Sequence, residues 1–371
     1  MNRPAASRSD DDPCDICGAF GSMTPLVEAG LPGVGPAWIH ACGRCGFRQV
    51  RPRLPPAALD ALYGADYFDT SSAHGFAEYA RQRQRYERDA FFLARELRAL
   101  RPDGGRLLEV GSALGFLLAA LARCSDWRVE GVEVSRFGAW YARDRFGATV
   151  HHGTLEDAAF APASFDYVVQ KDLLEHVTHP RRHLQETLRI LRPGGRLRLI
   201  TPNGEADVRL LQRAATAAGQ DELPLLGQGH LSFFTRPQLI RMLEETGFRL
   251  LRIRAIGLRR GLRALGVVPG WRSRAPLVSR ASLAADAASG ASGASREAVS
   301  DAEPDAHADE ETAARVDAEI ARRHRAVRGW RPYWRYRRAL KWFDALPPPF
   351  DIGQDFELLL EKALPEPAVA Q

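Results

Sequence analysis

A doubly wound α/β fold on a mostly parallel seven-stranded sheet, preceded by a small four-cysteine zinc ribbon, is what this sequence predicts. Three observations predict it. Two C-x-x-C pairs fall within the first fifty residues, strand-length apolar runs alternate with helix-period runs from about residue 105 to 257, and one more apolar run, "DFELLLEKA", stands alone near the end. Alternation at short spacing demands a largely parallel sheet with helices on both faces, whose ligands sit beyond the carboxyl ends of the strands. The chain has 371 residues, 45% hydrophobic and 26% charged, enough for a sizeable core and two or three structural units. It contains no run of eighteen apolar residues, and "MNRPAASRSDDDPCDIC" lacks the apolar stretch of a signal peptide, so a cytoplasmic protein is expected. The 51 Lys+Arg against 46 Asp+Glu, a net +5, permit contact with anionic surfaces without requiring it.

Taken in order, residues 1–55 form the ribbon. Cys14 and Cys17, then Cys42 and Cys45, each present two thiolates from one tight knuckle, and two knuckles complete a closed tetrahedral zinc site. Gly18, Gly43 and Gly46 follow where such knuckles turn. Disulfides or unrelated thiols are the alternative, disfavoured without a secretion signal. His40 is an alternative ligand that four cysteines make a bystander; Cys124, on the apolar face of a helix, reads as a core residue. Residues 56–104 are a proline-punctuated connector and a helical run. Residues 105–257 carry strand "RLLEVG", helix "FLLAALARC", strand "RVEGVEVS", helix "FGAWYARDRFG", strands "ATVHHG" and "FDYVVQK", helix "RRHLQETLRIL" and strand "RLRLIT". A helix from near Pro237, stopped by Gly247, then leads into a last strand. Residues 258–350 read as an insertion, with a flexible Ala/Ser/Asp/Glu linker at about 273–314 and a basic aromatic helix from Arg322 to Phe343. In residues 351–371, Phe356 to Lys362 is a lone strand, which needs a sheet; it is expected at the sheet edge, antiparallel to the run at Leu250 to Ile256 and the only reversed strand.

The turn "LLEVGSALGF" carries the chemistry. A dinucleotide fingerprint would need glycine where Ala113 and Phe116 stand; instead there is a pair, Gly111 and Gly115, with Glu109 ahead of it on the strand. A fixed carboxylate beside helix N–H groups repels pyrophosphate and welcomes a cation. Glu133 ends the next strand about 20 residues on, the distance at which an acid accepts both hydroxyls of a ribose. A cationic ribonucleoside without a phosphate cradle describes S-adenosylmethionine better than NAD or ATP. With "SFDYVVQKDLLEHVTHPRRHLQETLRILRPGGRLRLITPN", residues Leu107 to Ile256 resemble the class I S-adenosylmethionine-dependent methyltransferases, in the small-molecule branch. Ribbon and core together resemble a bacterial subgroup that includes sugar C-methyltransferases. That resemblance implies Glu109, Gly111, Ser112, Ala113, Gly115, Glu133, Val134 and Gln170 around the cofactor, and Thr154, Leu155 and Glu156 near the adenine. Ala113 stands at the middle glycine of the family's motif and is expected to keep a negative φ.

Methyl transfer to a weak nucleophile needs a base. His176 in "LEHV" is the first candidate for a base or substrate-orienting group, against a histidine that only bonds the backbone; His230 in "GQGHLSFFT" and Asp172 are the next. Glu175 is expected to be a solvated helix residue. Tyr63, Tyr67 and Phe68 form an aromatic lid or pack between ribbon and core. The basic aromatic run suits an anionic membrane surface, single-stranded nucleic acid or a solvated amphipathic helix. Three classes stay open: a methyltransferase on a small molecule or activated sugar, an RNA methyltransferase, and a non-catalytic cofactor-binding protein. "QKDL" stands where base-methylating enzymes commonly carry Asn/Asp-Pro-Pro-aromatic, which favours the first.

Overall fold

A computed structural model describes residues 12–55, 58–59, 62–63, 67–68, 79–226, 229–256, 275–285, 287, 306–327, 345–346 and 355–364. The ribbon contributes β1 (Met23–Leu31), β2 (Gly35–Cys42) and β3 (Arg48–Arg51), an antiparallel meander in which Met23 pairs with Cys42 and Trp38 with Arg51. After it come α1 (Arg83–Leu100), β4 (Arg106–Val110), α2 (Phe116–Cys124), β5 (Arg128–Glu133), α3 (Arg136–Phe146), β6 (Val150–His152) and β7 (Phe165–Lys171). They are followed by α4 (Pro180–Ile190), β8 (Leu191–Pro202), α5 (Gly204–Ala217), β9 (Glu222–Pro224), β10 (Ser232–Phe233), α6 (Arg236–Thr246) and β11 (Phe248–Ile256). The last elements are β12 (Leu277–Ser279), α7 (Ala306–Val327), β13 (Ala345–Leu346) and β14 (Asp355–Lys362).

The main sheet has the order β13-β11-β14-β8-β7-β4-β5-β6. Seven of these strands are those expected; β13 adds a two-residue pairing to β11. β6, β5, β4, β7 and β8 run parallel, so their carboxyl ends open on one side. Strand alternation decides the layers. Leu107, Tyr167 and Val169 pack under α1 and α2 with Tyr86, Leu97 and Leu121, while Leu108, Val110 and Val168 pack on the opposite face with Leu184, Leu239 and Met242. α6 starts at a Thr235–Gln238 capping box and stops at Gly247, whose φ of 109° is the left-handed cap that glycine tolerates.

β14 corrects the expected placement. It does run antiparallel to β11, pairing Phe248 with Lys362 and Ile256 with Asp355, but its other side pairs with β8, Asp355 to Pro202 and Glu361 to Arg196. The strand is therefore interior, and β13, antiparallel to β11, is reversed as well. The reason is topological: the connection from β8 through α5 and α6 to β11 leaves a strand-wide gap, and only an insertion there satisfies both backbone edges of "DFELLLEK".

The segment expected as a linker is partly built. β12 pairs with β9, and Leu283, on a helical turn at 280–285, is fully buried against β1, where a Cβ on Gly30 would lie 2.6 Å from it. α7 lays Ala313, Val316 and Ile320 into the cluster that contains Phe137 and Tyr141, and Arg81 pairs with Glu319 at 2.8 Å. Of the expected basic aromatic helix, residues up to 327 are helical; 328–343 lie outside the described residues. No helix among the described residues is long and apolar enough to cross a membrane.

Candidate functional site

The four cysteine sulfurs lie within 4.8 Å of one another, with Cys14–Cys45 at 3.6 Å and Cys17–Cys42 at 3.7 Å, and none is in a disulfide. Zinc–sulfur bonds of ~2.3 Å impose a sulfur–sulfur edge of ~3.8 Å on a tetrahedron, so the residues present fit zinc. A zinc ion held by all four sulfurs would have no open coordination position, as in a structural site. His40 is outside the group; its Nδ1 faces the Trp38 carbonyl at 3.4 Å. The ribbon is bound into the core: Phe47 stacks on Phe234 at 5.3 Å, β10 pairs with β3, and Arg181 donates to the carbonyls of Asp15 and Ile16. We expect one zinc per chain by elemental analysis, with the metal and the cooperative melt lost together in a Cys14→Ala plus Cys42→Ala chain. Metal retained in that variant would refute the ligand set.

The glycine turn lies where β4 hands over to α2. Gly111 (φ 76°), Ala113 (φ 47°) and Gly115 (φ 73°) all enter the left-handed region, so the expectation of a negative φ at Ala113 is overturned. The turn is held by Glu133, whose Oε2 accepts from Ala113 N–H at 2.6 Å and whose Oε1 accepts from Ser135 N–H at 2.8 Å. A left-handed alanine costs on the order of 1 kcal/mol, which this charge-assisted bond offsets. Gly115 caps α2, and a Cβ there would lie 2.6 Å from that of Ala142, so helix packing forbids a side chain as well.

Glu109 and Glu133 are almost fully buried, 3% and 6% exposed. Burial pushes Glu109 up to about 8, with Lys171 opposing and Glu133 adding. Burial also raises Glu133, against the N–H groups of Ser135, Ala113 and Val134. Ser112 is buried with its hydroxyl unpartnered. On the far lip, Leu155 is buried, while Thr154 is exposed and donates its N–H (2.9 Å) and hydroxyl (2.7 Å) to Asp157 Oδ2. Gln170 lies against α4, its Nε2 on Thr187 Oγ1 at 2.8 Å, which places its amide behind the strand.

Beyond β7 the chain turns through Asp172 (φ 52°, exposed) into a 3₁₀ turn, Leu174–His176. Here the structure assembles what the sequence scattered. His176 Nδ1 meets Tyr63 Oη at 2.8 Å, its Nε2 lies 3.8 Å from Glu175 Oε1, and its ring is 5.0 Å from that of His230. His230 Nδ1 pairs with Asp207 Oδ2 at 3.0 Å. Glu175 is 1% exposed, not solvated as expected; its Oε2 accepts from Thr201 and its Oε1 has no partner. Burial pushes His176 down to about 3, helped by His230. Burial also disfavours charged His230, but Asp207, with Glu175 and Asp172, outweighs it and holds His230 up at about 9. Burial raises Glu175 to about 8 against the pull of His230. The two imidazoles are thus set apart, His176 held toward its neutral form and His230 toward its cationic form. Glu175, His176 and His230 lie close enough to hold a metal, yet His176 Nδ1 is already engaged by Tyr63.

Sequence reasoning missed Tyr63 as the partner of His176, Asp207 as the partner of His230, and Asp157 as the partner of Thr154. Only Asp157, three residues after Thr154, carried a local signal, the Thr-x-x-Asp spacing of a side-chain-closed turn. Phe68 packs 5.7 Å from Tyr79 and 6.1 Å from Phe137, the ordinary-packing alternative to a lid.

A methyltransferase domain family matches residues 79–253, beginning after the cysteines and stopping before β14. An O-methyltransferase of Aspergillus sclerotiorum is 29% identical over 162 residues, 40% of this chain and 56% of that protein. One of Pyrenophora dematioidea is 32% identical over 169 residues, 42% and 58%. The ubiquinone biosynthesis O-methyltransferase of Xanthomonas axonopodis pv. citri is 30% identical over 191 residues, 49% and 74%. The chain spans little more than half the length of the first two relatives.

Proposed function

This chain belongs to the class I S-adenosylmethionine-dependent methyltransferases, and from that premise we propose that it methylates a small hydroxylated acceptor, an activated sugar being the class to test first. The observation that carries the reading is that two buried carboxylates, Glu109 and Glu133, stand at the ends of the paired strands β4 and β5 beside the glycine turn, with His176 on the turn that follows β7. The names of the relatives, O-methyltransferases, support a hydroxyl acceptor.

Bound in the cleft, the cofactor supplies an electrophilic methyl group on a sulfonium. Glu109 faces its positive end. Glu133 keeps a second lone pair on each oxygen for the ribose hydroxyls while holding the turn. Asp157, fixed by Thr154, is placed for the adenine amino group. His176, in the tautomer whose Nδ1–H donates to Tyr63 Oη, takes the acceptor's proton at Nε2, and cationic His230 stabilises the negative charge that develops on the acceptor oxygen.

Calorimetry with S-adenosylmethionine and uptake of labelled methyl by nucleotide sugars, phenolic metabolites and bulk RNA test the reading. Label in RNA alone would replace the acceptor class, and binding without transfer to any acceptor would favour a non-catalytic role. Glu133→Ala is expected to weaken S-adenosylmethionine binding by about tenfold to a hundredfold, since charge-assisted hydrogen bonds contribute ~1.5–3 kcal/mol. An unchanged dissociation constant would remove the ribose assignment.

A further inference from the structure

We infer that Lys171 and Glu109 together form a receptor for the amino-acid end of the cofactor, Lys171 taking the α-carboxylate and Glu109 the α-ammonium. The inference rests on the cofactor reading above and adds to it a residue that nothing in the turn or its spacing points to.

Lys171 is the last residue of β7, on the face that Tyr167 and Val169 turn toward α1. Its side chain is 8% exposed, its ammonium makes no hydrogen bond, and it stands 3.9 Å over the ring of Tyr86. The opposite charge beside it is Asp89, at 3.7 Å. That carboxylate is shared: Arg85 lies 3.9 Å and Arg88 3.7 Å from it, so three cations divide one half-exposed anion and Lys171 is under-neutralised. On the neighbouring strand Glu109 points to the same face, as Leu107 does two residues earlier, and its Oε2 is buried without a partner.

A buried carboxyl and a buried ammonium that share a face without hydrogen-bonding each other are costly to leave unpartnered in a closed core. They complement a zwitterion. The amino-acid end of S-adenosylmethionine brings one ammonium and one carboxylate; this face of the cleft offers one carboxyl, Glu109, and one ammonium, Lys171. Tyr79 stacks on Phe116 at 5.4 Å and lies 5.4 Å from Tyr86, walling this end in rings. With water excluded, each charge interaction strengthens.

The test compares S-adenosylmethionine with its decarboxylated analogue, which lacks only the carboxylate, by calorimetry on the full zinc-loaded chain. The unaltered protein is expected to prefer S-adenosylmethionine by about tenfold to a hundredfold. Lys171→Met should erase the preference by weakening S-adenosylmethionine alone, and Lys171→Arg should restore most of it. Equal weakening of both ligands in Lys171→Met would mean a merely structural lysine and would overturn the inference, as would an unaltered protein without preference. If the unaltered protein binds neither ligand, the cofactor reading itself falls and takes this with it.

Discussion

A chain ended at residue 350 is expected to show no cooperative melt at all, not a weakened one. β14 is hydrogen-bonded along its length to β8 on one side and β11 on the other, so its loss leaves two open strand edges in the middle of the sheet. Phe356, Leu358 and Leu360 are at most 1% exposed and sit in the cluster that also holds Leu197, Leu199, Met242 and the ribbon's Phe47. Removing one such side chain costs ~2–5 kcal/mol, and removing three with their strand exceeds the ~5–15 kcal/mol by which domains are stable. Buried Glu357 would also cease to pair with Arg198 and Arg254, leaving Arg254 without this anion and Arg198 with Glu96 at 3.9 Å. Circular dichroism during heating and limited proteolysis are the measurements. A truncated chain that melts like the full-length one would show that β14 contributes nothing to the core.

The last strand also shows what the sequence carries and what it does not. "DFELLLEKA" is too apolar for a free tail, so its return to the sheet and its antiparallel sense with β11 were legible. Its interior position was not, because nothing in a strand's own residues says whether one edge or both are paired. α7 was hidden differently: Ala313, Val316 and Ile320 are spaced for one helical face, but in an Ala/Glu-rich run alanine scarcely registers as a core residue. Deleting 273–314 therefore removes buried Leu283 and Ala313, and should cost stability that a plain linker would not. In the site, Glu109, Gly111, Gly115 and Glu133 were readable since strand end and turn bring them together within one β-α-β unit. Tyr63, Asp207 and Lys171 were not. Tyr63 meets a histidine 113 positions away, and that contact exists only once ribbon connector and core have docked. Glu175 read as polar and hence solvated; burial beneath β10, where it accepts the Leu231 N–H and Thr201 hydroxyl, reverses that.

Replacing His176 by Asn is expected to lower kcat by about a hundredfold to ten-thousandfold, the range a positioned general base contributes, with S-adenosylmethionine affinity changed by no more than about twofold. Asn is chosen because its amide N–H can still donate to Tyr63 Oη, so the turn into the 3₁₀ segment is kept. The pH profile reports on His230. His176, held down near 3, is neutral throughout the neutral range, so it sets no limb there. His230, held up at about 9 by Asp207, is cationic below that pH and loses its charge above it. Activity that depends on this cation should therefore fall as pH rises through about 9. In Asp207→Asn, burial is no longer outweighed, His230 drops, and the alkaline limb should move to lower pH. Asp207→Asn with an unmoved limb would detach His230 from the reaction. His176→Asn with near-native kcat would return that residue to the backbone-bonded reading and pass the proton-taking role to Glu175, whose Oε1 has no hydrogen-bond partner.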